Sequence, residues 1–171
     1  MTTKNKRILI AVPALLFLIW LVWYYSDKQV IKRQLTELTW NINKEANEPI
    51  LETGLKMREV KQMLASDVRA VIPESKRDET LVADMAIRYL MYYRDRYETL
   101  TVRFDDMLIE LPEKDKATVS ATVFMQRKTP QADTPDELKE RMELLLEKDK
   151  KQKGGRDWRL TQATVPASLV E

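Results

Sequence analysis

The chain has 171 residues, with 29 Lys and Arg against 27 Asp and Glu, and contains neither cysteine nor histidine. The lack of cysteine excludes disulfides, thiol catalysis and Cys-ligated zinc, and the lack of histidine removes the commonest general base and metal ligand. Three basic residues lie within positions 1–7, so the remainder is nearly neutral and gives no support to nucleic-acid binding. We therefore expect no metal, no cofactor and no nucleic-acid partner.

Residues 8–25 form an unbroken apolar run of eighteen residues without a charge. As a helix this run would reach roughly 27 Å, close to the ~30 Å hydrocarbon core of a bilayer. Trp20, Trp23, Tyr24 and Tyr25 crowd its C-terminal end, which is typical of residues at a membrane interface. We interpret the run as a transmembrane helix. A cleaved signal peptide, which would need small residues at this end, and a buried core helix are the alternatives.

The charges on either side of the run predict its orientation. Residues 1–7 carry three basic residues and no acidic one, and residues 26–33 carry three basic residues and Asp27. The basic counts tie, but a short and purely basic tail favours a cytoplasmic N-terminus. We expect a single-pass inner-membrane protein with a cytoplasmic tail at 1–7, an extracytoplasmic domain at 26–166 and a frayed C-terminus at 167–171.

Apolar residues at helical spacing predict three helices after the anchor. The second begins near Pro49, which suits a first helical turn, and the third is capped by Asp78. Residues 67–73 have an extended pattern. The apolar stripes are Ile31, Leu35, Leu38 and Ile42 in the first helix, Met57, Val60, Leu64 and Val68 in the second, and Val82, Met85, Ala86, Tyr89, Leu90, Tyr93 and Tyr97 in the third.

After Glu98 the apolar pattern changes to the period of two that is typical of strands. Residues 100–111 alternate, and the change of register at Asp105-Asp106 predicts a β-bulge. A turn at 112–116 is followed by a half-buried strand over 117–126. Residues 134–149 fit either a helix or a strand; we expect a brief helical turn and then a strand that pairs with a final strand at 158–165. This order of elements predicts an α+β fold.

The stretch from about Ile31 to Val165 resembles the NTF2-like superfamily, a SnoaL-like, cystatin-like α+β cone. Three segments carry the resemblance: LeuAlaSerAspValArg at 64–69, the strand pair at 101–111 and 116–123, and GlyGlyArgAspTrpArgLeuThr at 154–161. The resemblance implies about three helices packed on a curved antiparallel sheet around a cone-shaped pocket, in a family that often dimerises through the sheet. Enzymes of the family place an Asp–His pair, or a Tyr with two acids, in the cone. The first set is absent here, and the second does not match residue by residue.

The predicted cone therefore has candidate pocket residues without a catalytic set. The ligand-pocket candidates are Tyr89, Tyr93, Phe104, Met125 and Trp158. Other features of the sequence have ordinary structural explanations: the tyrosines as core, Asp105-Asp106 as a bulge and the Lys-rich segment 148–156 as a solvated turn. No catalytic residue and no metal ligand is assigned.

These observations favour a membrane-anchored binding or scaffold module, a subunit or accessory factor of a bacterial envelope assembly, without chemistry of its own. The alternative is an NTF2-like enzyme of isomerase or hydratase type that uses Asp and Tyr on a small apolar substrate. Whether the protein is an enzyme stays open at this point. The expected partners are the lipid bilayer, a protein partner or a second copy bound through the sheet, and a small apolar ligand.

Overall fold

The computed structural model describes Tyr24, residues 26–149 and residues 157–169. The described helices are α1 (Asp27–Ile42), α2 (Ile50–Met63) and α3 (Ala83–Asp95), with a short 3-10 turn at Ala167–Leu169. The strands are β1 (Leu64–Ile72), β2 (Arg77–Val82), β3 (Thr99–Glu113), β4 (Lys116–Lys128), β5 (Asp136–Lys148) and β6 (Trp158–Thr164). The predicted α+β class, with three helices on a curved sheet, is confirmed.

The six strands form one sheet in the order β2-β1-β6-β5-β4-β3. Neighbouring strands are antiparallel except for β1 and β6, which run parallel. The bulge predicted at Asp105-Asp106 is confirmed, because the β3–β4 register shifts between Asp105 and Leu108 and Asp106 has a φ of 52°. Asp adopts this left-handed conformation more readily than most residues, which suits it to the bulge.

The helices cover one face of the sheet, and the core lies between them. Ile31 and Leu35, which are 0% and 2% exposed, project from one side of α1 at the spacing of a helical turn. They belong to the same apolar cluster as Val119, Leu144 and Trp158 from the sheet. Full burial of a large apolar side chain stabilises a fold by about 1.5–3 kcal/mol. This cluster therefore holds the helices on the sheet.

The chain between Leu64 and Val82 differs from the prediction. α2 ends at Met63, so Leu64 and Val68 belong to β1 and not to a helical stripe. Asp78 was predicted to cap a helix, but it lies in β2, where its carboxylate accepts a hydrogen bond from Arg69 Nε at 2.8 Å. The β1–β2 hairpin brings Arg69 next to this carboxylate, and its backbone hydrogen bonds hold the two strands together. Those interactions outweigh the capping preference of Asp.

α3 turns a different face to the core from the one that its apolar pattern predicts. Met85 and Tyr89 are 38% and 55% exposed, whereas Arg94 is 1% exposed. The Arg94 guanidinium donates to the backbone carbonyl of Ile42 and to the carboxylate of Glu48. Since a buried charge needs partners of this kind, the position of Arg94 fixes the rotation of the helix. The prediction that Met85 and Tyr89 belong to the core is wrong. Val82, predicted as the first residue of the same helical stripe, is the last residue of β2 and is 55% exposed.

The segment that the sequence left ambiguous is a strand, without the helical turn expected near Thr134. β5 pairs with β4 along its length and with β6 over its second half. Two ladders outweigh the helix propensity of its Leu, Glu and Lys residues. At the C-terminus, where we expected fraying, Ala167–Leu169 form a 3-10 turn, and Leu169 is only 5% exposed.

The predicted membrane anchor lies outside the described residues except for Tyr24, and so do Trp20, Trp23 and Tyr25. Within the part of the chain that the structure describes, no helix is long and apolar enough to cross a membrane. The Tyr24 ring is 37% exposed and lies 3.9 Å beneath the guanidinium of Arg33. The anchor and its orientation stay predictions.

Candidate functional site

The helix-covered face of the sheet is where the predicted cone would hold a ligand. Its side chains form two apolar clusters, because opposed residues on antiparallel strands point to the same side. The inner cluster packs around Trp158 between α1, α2 and the sheet. The rim cluster consists of Leu100, Val102, Val123, Met125 and Leu169, with partly buried side chains around them.

The five predicted pocket residues do not lie together. Tyr93, Phe104 and Met125 meet in the rim cluster. Trp158 belongs to the inner cluster, where it is 1% exposed. Tyr89 lies on the outside of α3. The structure thus brings three of the five to one place, and their role in binding a ligand stays a prediction.

Tyr93 is the chemically distinctive member of the rim cluster. Arg127 Nη1 donates a hydrogen bond to the Tyr93 hydroxyl at 3.0 Å, and that hydroxyl lies 3.3 Å from Met125 Sδ. Arg127 Nε also donates to Asp136 at 3.1 Å. Burial raises the pKa of Tyr93, and the Arg127 hydrogen bond opposes this only in part. A phenol of this kind stays neutral near pH 7 and can donate a hydrogen bond.

Glu140 is a rim residue that the sequence analysis missed. It pairs with Val123 across the β4–β5 ladder, which places both on the helix-covered face. Its side chain is half-buried. The sequence does contain a pattern that places Glu140 there. Leu138, Glu140 and Met142 are spaced two residues apart, so they lie on the same face of the strand.

The most deeply buried charges form a closed cluster that the sequence analysis also missed. Arg94 Nη2 lies 3.0 Å from Glu48 Oε1, and both side chains are 1% exposed. Thr53 Oγ1 and Lys56 Nζ donate to the same carboxylate at 3.0 and 3.2 Å. Arg94 also donates to the carbonyl of Asn43 at 2.9 Å. These contacts join the loop before α2 to the end of α3.

The pKa of Glu48 reflects this closure. Burial raises it, but the hydrogen bonds from Arg94, Thr53 and Lys56 lower it by more, so the pKa lies below its ordinary value of 4.5. Each carboxylate oxygen already has at least two donors. The cluster is therefore a structural clamp with no acceptor left for a ligand.

The bulge acids have no catalytic arrangement. Asp105 pairs with Arg103 at 3.1 Å on the same strand, and Asp106 is exposed. Among the residues that the structure describes, no group of three His, Cys, Asp or Glu side chains could hold a metal ion.

Three cavities among the described residues open on the surface. One of about 510 Å³ lies along the outside of α1, one of about 290 Å³ lies beside Pro73 and Arg141, and one of about 670 Å³ lies beside Arg58 and Arg159. None is lined by a predicted pocket residue.

No protein-family model matches the chain, and no curated protein is significantly similar to it in sequence. Solved structures do match. A candidate scytalone dehydratase from Novosphingobium aromaticivorans superposes with a TM-score of 0.57 at 12% identity, over 84% of this chain and 83% of that one. A candidate dehydratase of the NTF2-like family from Streptomyces avermitilis gives 0.58 at 12% identity, over 82% and 96%. A hexachlorocyclohexane dehydrochlorinase, LinA type 2, gives 0.61 at 9% identity, over 81% and 83%.

At these identities the likeness shows the fold alone. The described domain has an NTF2-like fold, as the resemblance in its sequence predicted. The same fold carries many unrelated activities, so the site must supply the argument for function.

Proposed function

We propose that the chain is a non-catalytic NTF2-like module that binds a protein within a bacterial envelope assembly. Residues 8–25 would hold it in the inner membrane, with the domain outside the cytoplasm. The observation that supports this most directly is the packing of the helix-covered face, where the predicted cone would otherwise hold a substrate.

That face is filled by side chains over its inner part. Trp158, Ile31 and Leu35 are each no more than 2% exposed. Small-molecule sites are usually cavities of about 300–1,000 Å³ lined by apolar side chains with a few polar groups. Here the apolar side chains pack against one another, and the deepest charges, Arg94 and Glu48, are already satisfied.

The opposite face of the sheet, which we call the open sheet face, suits a polar partner. Lys139, Arg141 and Glu143 of β5 point to it and are exposed, beside Ser120 and Thr122 of β4. Its mixed charges and hydroxyl groups resemble the polar rim of a protein–protein interface. We infer that the protein partner, or a second copy of this chain, meets this face.

Site-specific photo-crosslinking tests this function. A photo-reactive residue would replace Lys139 on the open sheet face, and in the control it would replace Lys114 at the exposed β3–β4 turn. We expect one discrete adduct from position 139 and none from position 114. An adduct with the mass of two chains would identify the partner as a second copy. The absence of any adduct from position 139 in cells would contradict the proposal.

The Tyr93 site favours one other function, an isomerase or hydratase acting on a small apolar substrate. Tyr93, Arg127 and Glu140 lie on the same side of the sheet, next to the apolar side chains of the rim cluster. A neutral phenol beside a carboxylate can support proton transfer. An activity that is lost in Tyr93→Phe and kept in Tyr92→Phe, whose side chain is 71% exposed, would favour this enzyme over the binding module.

A further inference from the structure

The exposed apolar side chains of the described residues are concentrated on the helices. Trp40 is 67% exposed, Ile50 is 91% exposed and Tyr92 is 71% exposed. Of the large apolar residues that are exposed among the described residues, Val82, Leu108 and Leu111 lie in the sheet. The outer helical surface is defined here as Trp40, Ile50, Leu51, Leu55, Met85, Tyr89 and Tyr92.

α2 and α3 lie antiparallel, which places their exposed residues side by side. Lys61 near the end of α2 pairs with Asp84 in the first turn of α3 at 2.6 Å, and the clamp joins the start of α2 to the end of α3. Leu51 and Leu55 are one turn apart on α2, and Met85, Tyr89 and Tyr92 follow helical spacing on α3. The inner sides of both helices contact the core. The exposed stripes therefore form one platform that faces away from the sheet.

Basic residues lie along the helices of this domain. In both α1 and α2 the basic residues outnumber the acidic ones by three to two. Lys28, Lys32, Arg58, Arg88 and Arg96 are exposed along or next to the helices. The acidic residues Glu52 and Asp84 are each paired with a lysine, at 2.9 and 2.6 Å. Apolar side chains with Trp and Tyr among them, set between cations, match the chemistry of an anionic lipid surface.

The predicted anchor at 8–25 would also hold the domain next to the bilayer. α1 begins at Asp27, two residues after the apolar run ends at Tyr25. A tether this short keeps the domain at the membrane, so even weak lipid contacts form at a high effective concentration. On the open sheet face, Leu108 pairs with Ser120 and is 55% exposed, and charged and hydroxyl side chains lie around it.

We propose that the outer helical surface lies on an anionic lipid bilayer, while the open sheet face points away from the lipid. This rests on the proposed function in one respect, since residues 8–25 must anchor the chain. The domain would then contact the membrane surface with its helices and bind a protein with its open sheet face.

Spin labelling of the full chain in nanodiscs tests the proposal. Because the chain has no cysteine, a single introduced cysteine gives one label. The variants are Leu51→Cys and Tyr92→Cys on the outer helical surface, Lys139→Cys on the open sheet face and Leu15→Cys in the anchor. The nanodiscs contain phosphatidylcholine and phosphatidylglycerol in equal amounts. Collision rates with oxygen and with a water-soluble nickel complex report whether each label lies in lipid or in water.

We expect the ratio of oxygen to nickel collisions at positions 51 and 92 to exceed that at position 139 several-fold, and to fall when phosphatidylglycerol is omitted. Equal ratios at 51, 92 and 139, with position 15 in lipid, would overturn the docking surface and leave the anchor intact. A water-exposed label at position 15 would instead contradict the anchor. Spin–spin broadening at 51 or 92 that disappears on dilution with unlabelled protein would show that a second copy covers the platform, which also overturns lipid docking.

Discussion

The clamp around Glu48 and the Tyr93 site at the rim are both charged clusters, but they differ in closure. In the clamp, the Arg94 and Glu48 side chains are 1% exposed and every carboxylate oxygen has donors. At the rim, Tyr93 is only half-buried, and its hydroxyl donates to the thioether sulfur of Met125, which is a weak acceptor. The comparison teaches that the buried charges of the clamp stabilise the fold. The Tyr93 site at the rim is the more open of the two to a ligand.

The largest expected effect comes from breaking the clamp. Arg94→Met removes the cation and leaves the Glu48 carboxylate buried without its main partner. Removing one partner of a buried ion pair costs about 3–5 kcal/mol, and we expect a loss of that size in the free energy of unfolding. Urea denaturation of the full chain in detergent measures it. Arg96→Met, two residues on and exposed, is the matched control and should change stability by less than about 0.5 kcal/mol.

The same clamp makes stability depend on pH. The pKa of Glu48 is lower in the folded chain than its ordinary value of 4.5, so its contribution is fully present above that pH. As the pH falls below 4.5 and through the folded pKa, the carboxylate takes up a proton and that contribution is lost. We expect Glu48→Gln to be less stable at pH 7 and to lose less stability on acidification than the native chain. Identical acid slopes in both chains would contradict this account of the clamp.

A smaller effect is expected where the C-terminal turn covers the rim. Leu169 packs in the rim cluster and is 5% exposed. Leu169→Ala should lower the free energy of unfolding by about 2 kcal/mol, at the lower end for a buried leucine because the turn lies at the chain end and can relax. Thermal unfolding measures this, with Leu111→Ala, exposed on β3, as the control. Equal melting temperatures for Leu169→Ala and the native chain would show that the turn does not close the rim.

The smallest effect is expected at Tyr93 itself. Tyr93→Phe keeps the ring but removes the acceptor of the Arg127 hydrogen bond. A hydrogen bond from a charged donor contributes about 1.5–3 kcal/mol. Because Arg127 keeps Asp136 as a partner, we expect a loss at the lower end of this range. A loss of more than about 3 kcal/mol in chemical denaturation would show that the rim is as closed as the clamp, and the comparison would fail.

The elements set by local pattern were predictable from the sequence, and those set by distant contacts were not. The alternation around Asp105-Asp106 predicted the bulge because a change of register needs an extra residue. Arg94 and Glu48 are far apart in the chain, so no local pattern shows that they meet. Once they do, α3 rotates and Met85 and Tyr89 move to the surface.

Some residues suit two different structures, and their position could not be predicted from the sequence. Asp78 suits a helix cap and a hairpin ion pair equally well, and only the β1–β2 pairing decides between them. At the site, Tyr93, Phe104 and Met125 were predicted and found together. Glu140 was missed because an acidic residue was not expected on the apolar side of β5.

The central claim is that the helix-covered face is a packed core and not an open pocket. Methionine methyl groups test it directly, since Met57 and Met63 lie in the inner cluster, Met125 lies at the rim, and Met85 and Met91 lie on the outside of α3. The full chain, labelled with ¹³C at its methionine methyls, would be titrated with benzene and followed by NMR. Leu35→Ala, which creates a core cavity, is the positive control.

We predict that benzene shifts the Met57 and Met63 signals in Leu35→Ala, and that it leaves the Met57, Met63 and Met125 signals unchanged in the native chain. Saturable shifts of these three signals in the native chain, with Met85 and Met91 unaffected, would contradict the packed core.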